Sequence, residues 1–129
     1  MNTRMDKSSV LDSQEMIARS RAAYVSLLQE SLAQAVEILS GLDQVERVSL
    51  FGSYARGRGD LFTDLDMLIV MKTDQAFVDR LRTLYSLLAL PVDADLVCYT
   101  PEEFEVLKEQ SFLKRILQDE VVLYEKKSA

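Results

Sequence analysis

Two apolar runs, near residues 45–51 and 65–71, flank a stretch that neither a helix nor a strand can absorb. It reads Gly52-Ser53-Tyr54-Ala55-Arg56-Gly57-Arg58-Gly59-Asp60-Leu61-Phe62-Thr63-Asp64-Leu65-Asp66. A Gly-Ser pair closes the first run, and two aspartates one residue apart open the second. Side chains alternate along a strand, so Asp64 and Asp66 share one face, roughly 7 Å apart at Cα, while Leu65 and Met67 point to the other. A near-continuous apolar strand is what a buried central strand looks like. Burying carboxylates at its start without a partner would be costly. The chain must therefore fold so that this end of the sheet meets compensating charge.

The surrounding pattern supplies the rest of such a sheet. Residues 1–8 are polar and are expected to fray as a disordered tail. Residues 9–40 carry a helical repeat, with Ile17, Tyr24, Leu28, Leu32, Ala35 and Leu39 near a 3.6-residue spacing and Gly41 as the stop. Val25, Val36 and Ile38 widen the apolar face, which suggests burial on more than one side, including against a second protein chain. Strands are expected at 45–51, 64–71 and 93–99. A helix is expected over 74–90, with Asp74 as N-cap and Pro91 as its end. Thr100-Pro101-Glu102-Glu103 is a capping box with Pro at N1, starting a helix to about residue 109. A further helix at 111–119 and a last strand at 121–124 complete the order. The expectation is one domain over 1–129, with a catalytic core at 45–125. Its class is α/β (α+β): a small mixed β-sheet with flanking helices and a long N-terminal helix.

Composition narrows the function. The chain has 129 residues, is 48% hydrophobic and 28% charged, and carries a net charge of −6. A binder of long nucleic acid would present a basic stripe, and here the local basic cluster is Arg56 and Arg58. A small nucleotide fits better. There are no histidines, so His-based triads and zinc–histidine sites are excluded. No apolar run is long enough for a membrane helix, and no signal-peptide core stands at the start. The single cysteine, Cys98, fits a reducing cytoplasm.

Asp93 and Asp95 repeat the Asp-x-Asp pattern on the third strand. If that strand lies beside the second, one of them joins Asp64 and Asp66. Crowded carboxylates repel, and a hard divalent cation resolves the conflict. Mg²⁺ takes one or two carboxylates plus substrate phosphates, and two such ions about 3.5–4 Å apart suit an in-line displacement at phosphorus. Gly52 leaves room for a phosphate, Ser53 adds a hydroxyl, and successive amides can form an anion nest. Arg56 and Arg58 would neutralise the phosphate tail.

Gly52-Ser53, ten residues, then Asp64-Leu65-Asp66, with Ala55-Arg56-Gly57 inside, resembles the signature of the polymerase-β-like nucleotidyltransferases. It is most similar to their minimal, stand-alone branch, the MNT proteins. The resemblance covers residues 45–105. It implies transfer of a nucleoside monophosphate, AMP from ATP, to an acceptor hydroxyl with loss of pyrophosphate. It implies Asp64, Asp66 and Asp95 as catalytic residues and as ligands of two Mg²⁺ ions, Asp95 also helping to deprotonate the acceptor, with Asp93 the alternative third carboxylate. Gly52, Ser53 and Arg56 would bind the nucleoside triphosphate. The implied partner is a helical HEPN-type toxin, silenced by adenylylation of a tyrosine. A non-catalytic antitoxin that works by occlusion, and a transferase for a small hydroxylated molecule, are the alternatives. A homo-oligomer through the helix at 9–40 stays open.

Other signals carry less. Gly52-x4-Gly57-Arg58-Gly59 has the spacing of a P-loop but lacks its Lys and Ser/Thr. Gly57-x-Gly59 is followed by Phe62 where a dinucleotide fingerprint needs Gly. Arg58-Gly59-Asp60 is read as an accidental adhesion triplet. Cys98 and the leucines of 81–90 are read as core, Glu102 and Glu103 as helix-start charges, and Lys72 as solvated.

Overall fold

The structure, a computed structural model, describes residues 3–59 and 63–127, with side chains from residue 12 onward. Helix α1 (Thr3–Ser40) leads into strand β1 (Val45–Phe51), a single helical turn α2 (Gly52–Ala55) and strand β2 (Leu65–Met71). Helix α3 (Phe77–Leu88), strand β3 (Ala94–Tyr99), helices α4 (Pro101–Leu107) and α5 (Ser111–Gln118) and strand β4 (Val121–Glu125) follow. The four strands lie in the order β3-β2-β1-β4. β1 runs antiparallel to both β2 and β4, and β3 is parallel to β2, as a β-α-β crossover through α3 requires. This is the expected mixed sheet with flanking helices. Among the described residues no helix is long and apolar enough to cross a membrane.

Strand alternation divides the sheet into two faces. Leu65, Met67 and Ile69 of β2 bury against Leu28, Ala35 and Leu39 of α1 and Leu84 and Leu88 of α3. Leu68, on the opposite face, packs with Val97 and Tyr99 of β3 and with Leu113 and Ile116 of α5. Asp66 is two residues from Leu68 and Asp95 two from Val97, so both carboxylates belong to the α4/α5 face.

Several element boundaries move relative to the sequence expectation. α1 includes residues 3–8, expected to fray, because neither Pro nor Gly interrupts it. Its 38 residues span about 57 Å. The buried stripe starts only at Leu28, and Ile17, expected on the apolar face, is 50% exposed. From residue 12 to residue 23 every side chain of α1 is exposed, since the sheet does not extend that far. Asp74 does not cap α3. The N-cap is Ala76, without a side-chain bond, and the helix ends at Ala89 in a left-handed conformation (φ 43°). Thr100 and Glu103 do form the expected capping box on α4.

Two arginines pin the C-terminal elements to the sheet. Arg47 of β1 donates to Glu120 at 3.0 Å through Nε and to Glu125 at 2.8 Å through Nη1. Its guanidinium also lies 5.5 Å from the Phe104 ring centre. Arg80 of α3 is buried. It donates to the Gln75 carbonyl at 2.8 Å, to the Cys98 carbonyl at 3.3 Å, and to Glu103 at 2.7 and 3.0 Å. The Arg80 guanidinium, followed by the Thr100 amide, holds the Glu103 carboxyl below its usual range. Cys98 is fully buried beside this pair, and burial pushes its thiol up to about 12, so it serves as core.

Removing Arg80 leaves buried acceptors behind. Arg80→Ala is expected to lower the unfolding free energy by about 3 kcal/mol, measured by urea denaturation. Because the folded Glu103 carboxyl is depressed from its ordinary value of 4.5, its contribution is present above that pH and is lost as pH falls. The stability gap between wild type and Glu103→Gln should therefore narrow on acidification from pH 6 toward pH 3. A gap that widens instead would refute this assignment.

Candidate active site

The C-terminal end of β1, the one-turn helix α2 and the N-terminal ends of β2 and β3 meet at one place. Phe51 is paired with Asp66, and Asp66 with Asp95, in the sheet register. Gly52 follows directly, with φ 77°, a backbone state that favours glycine. A Cβ on Gly52 would stand 2.1 Å from Asp66 Oδ2 and 2.9 Å from its Cγ, distances no real side chain tolerates. The first amides of α2 have no side-chain cap at Phe51, while Arg56 and Arg58 amides close the turn onto the Ser53 carbonyl at 3.1 and 3.0 Å. The turn is thus tight, and its entry lies against a carboxylate.

That carboxylate is under stress. Burial first, then the neighbouring Asp95 and Asp64 carboxylates, lift the Asp66 carboxyl from 3.8 to about 6, with a hydrogen bond shared with Asp95. The Arg56 guanidinium pulls it the other way. Crowded carboxylates of this kind favour a positive charge between them.

Of the sequence-predicted residues, Gly52, Arg56, Asp64, Asp66 and Asp95 gather here, and Ser53 sits in the turn between them. Asp95 rather than Asp93 is level with Asp66. Among the described residues no group of three carboxylates converges on one metal position. The fit to Mg²⁺ rests instead on the Asp66–Asp95 pair, since this ion commonly takes one or two carboxylates and completes its shell with phosphate oxygens and water. The upward displacement of the Asp66 carboxyl beside Asp95 marks a charge conflict that a divalent cation relieves. The donors are hard oxygens, as that ion prefers. Asp60 and Phe62 lie outside the described residues.

Sequence reasoning missed the contribution of α5. Arg56 donates to Asp119 at 3.1 Å, across 63 residues. Beside Gly52 a pocket of about 180 Å³ opens between Phe51, Arg56, Phe112, Arg115, Ile116 and Asp119. No local signal ties 111–119 to the glycine turn. The sheet register and the Leu113–Leu68 contact place them together.

Residues 32–129 match the family profile described as nucleotidyltransferase domain. None of the curated proteins matches. Among solved structures, a candidate nucleotidyltransferase from Sulfolobus solfataricus is 22% identical over 85% of this chain and 87% of that one, with a TM-score of 0.53. A candidate minimal nucleotidyltransferase is 26% identical over 73% of this chain and 93% of that one, with a TM-score of 0.49. A complex of a tri-AMPylated Shewanella oneidensis HEPN toxin with an MNT antitoxin is 20% identical over 76% of this chain and 72% of that one, with a TM-score of 0.47. Of these three, the Sulfolobus protein superposes closely enough to bear on the fold.

Two expectations follow from the Gly52–Asp66 contact. A raised carboxyl makes the folded state bind its proton more tightly, so its stabilising effect is complete below pH 3.8 and lost as pH rises through about 6. In metal-free buffer, Asp66→Asn should raise stability at pH 7 by on the order of 1 kcal/mol, discounted for partial exposure, and the gain should fade by pH 4. Thermal melts across that range decide it, and a gain that grows toward acid pH refutes it. Gly52→Ala should cost about 2 kcal/mol or more, from both φ and the clash. Much of the clash component should disappear in the Asp66→Gly background. Fully additive losses in that cycle would show that the contact carries no strain.

Proposed function

The chain belongs to the nucleotidyltransferase domain family, and we propose that it transfers AMP from ATP to a tyrosine hydroxyl of a HEPN-type partner. The observation that carries the site assignment is the glycine turn seated on Asp66, with Asp95 alongside. The open side of Gly52 is filled by the Asp66 carboxylate, so a triphosphate would be met by the uncapped amides that open α2, next to that carboxylate and its cation. Asp64, Asp66 and Asp95 would hold Mg²⁺, Asp64 closing on the pair. Two such ions, when bound, stabilise the attacking and leaving oxygens of an in-line displacement.

The residues then divide the work. Gly52 and Ser53 receive the triphosphate through backbone amides and a hydroxyl. Arg56 already balances Asp119 and Asp66 and is placed to exchange those partners for phosphate oxygens. Asp95, exposed at the end of β3, faces the acceptor and helps take its proton. The acceptor oxygen bonds to the α-phosphorus as the bridge to the β-phosphate breaks, and pyrophosphate leaves.

The choice of a HEPN-type acceptor rests on the resemblance of Gly52-Ser53 to Asp64-Leu65-Asp66 to the MNT branch. The reading places the protein in the cytoplasm, in keeping with its lone buried thiol. Exposed Met16 and Ile17 on the outer half of α1 offer a surface for a partner or a second copy.

Labelled ATP, Mg²⁺ and the product of the adjacent reading frame provide the test. Label should appear on a tyrosine of that partner, and the double variant Asp64→Asn plus Asp66→Asn should reduce transfer by about a hundredfold or more. Transfer that survives the double variant would sink the site assignment. Absence of transfer, with neutralisation of the partner intact in the double variant, would point to occlusion instead. Transfer only to small hydroxylated molecules would keep the enzyme and replace the acceptor.

A further inference from the structure

The segment that delivers Asp64 is held from outside the matched domain. Tyr24 lies in α1, ahead of residue 32, where the family match begins. Its hydroxyl donates to the Thr63 carbonyl at 3.0 Å, across 39 residues of sequence. Thr63 is buried and immediately precedes Asp64. The Thr63 hydroxyl in turn makes a longer contact, 3.4 Å, to the Arg58 carbonyl. Those two residues bracket the stretch between the glycine turn and β2. On the Arg58 side, Gly59 rests against the next residue of α1: a Cβ there would lie 3.6 Å from Val25 Cγ2 and 3.5 Å from the Tyr54 ring. Consecutive residues of α1 therefore lie beside Thr63 and beside Gly59.

The phenol is suited to the task. Burial, then the Asp93 and Asp64 carboxylates, raise its pKa above the ordinary 10.0, so it remains a donor throughout the neutral range. A carbonyl fixed at Thr63 sets the peptide plane from which Asp64 departs, and so the direction of its carboxylate.

We propose that Tyr24 is a positioning residue for Asp64, fixing through the Thr63 carbonyl the peptide from which Asp64 closes on Asp66 and Asp95 around a divalent cation. This rests on the reading of those three aspartates as a metal centre. Outer partners of metal ligands matter because they fix ligand orientation before the ion arrives. A residue that merely fills space would act through its ring, whereas this role belongs to the hydroxyl.

Mn²⁺ alone, titrated against the full-length protein and followed by the electron paramagnetic resonance of the free ion, tests this without any turnover. Tyr24→Phe retains the ring and should weaken Mn²⁺ binding by about three- to tenfold, with the fold unchanged by circular dichroism. In an Asp64→Asn background the same substitution should have no further effect, because its influence passes through Asp64. Wild-type affinity in Tyr24→Phe, alongside lost binding in Asp66→Asn, overturns the inference and leaves the metal centre standing. An equal loss in the Asp64→Asn background also overturns it, by assigning the effect to general loosening. No Mn²⁺ binding by wild type, or unchanged binding by Asp66→Asn, overturns the metal-centre reading and this inference with it.

Discussion

Asp66 and Asp95 stand side by side on adjacent parallel strands, and a glycine from the preceding turn presses against the first of them. Like charges in that position oppose folding, as the upward displacement of the Asp66 carboxyl indicates. The remaining structure has to hold this conflict in place. It does so with apolar surface on both sides of β2, the most deeply buried strand, which carries Leu65, Met67, Leu68 and Ile69 without exposure. A strand anchored on two faces does not relax by twisting away. The charged end therefore keeps its geometry in spite of its cost.

The two faces are secured by different chemistry. α1 and α3 hold one by apolar packing along Leu28, Ala35, Leu39, Leu84 and Leu88. The other face has the smaller apolar cluster around Leu68, Leu113 and Ile116, and it relies on charge. Arg47 ties β1 to Glu120, just before β4, and to Glu125, its last residue, and Arg80 ties α3 to the first turn of α4. Directional bonds suit a face that must be shaped around a reaction site, because they fix orientation as well as distance.

Much of this was legible in the sequence because its signals are local. Alternation alone put Asp64 and Asp66 together, and the apolar run after them identified a central strand. The same argument allowed Asp93 or Asp95 as the third acid, and only the parallel register of β3 beside β2 makes Asp95 the neighbour of Asp66. Periodicity marked α1 as helical but could not say where its partner ends, so Ile17 was expected in the core and lies in the open. Asp74 has the chemistry of a cap, yet Arg80 draws the chain at Gln75 into a different entry, and α3 starts at Phe77. The Arg56–Asp119 pair and the Tyr24–Thr63 bond span 63 and 39 residues, and nothing local could have announced them.

Tyr85 has a consequence for how copies of this sheet can meet. From α3 its hydroxyl donates to the Ala94 carbonyl at 2.9 Å and accepts from the Leu96 amide at 3.0 Å. Those are backbone groups that the edge strand β3 would otherwise offer to another chain. One side chain thus occupies the first outward-facing carbonyl and amide of that rim. The opposite rim, β4, has Val121 and Val122 exposed. Strand addition at β3 would have to displace Tyr85, whereas β4, two strands away from β2 and its aspartates, carries no such side chain among the described residues.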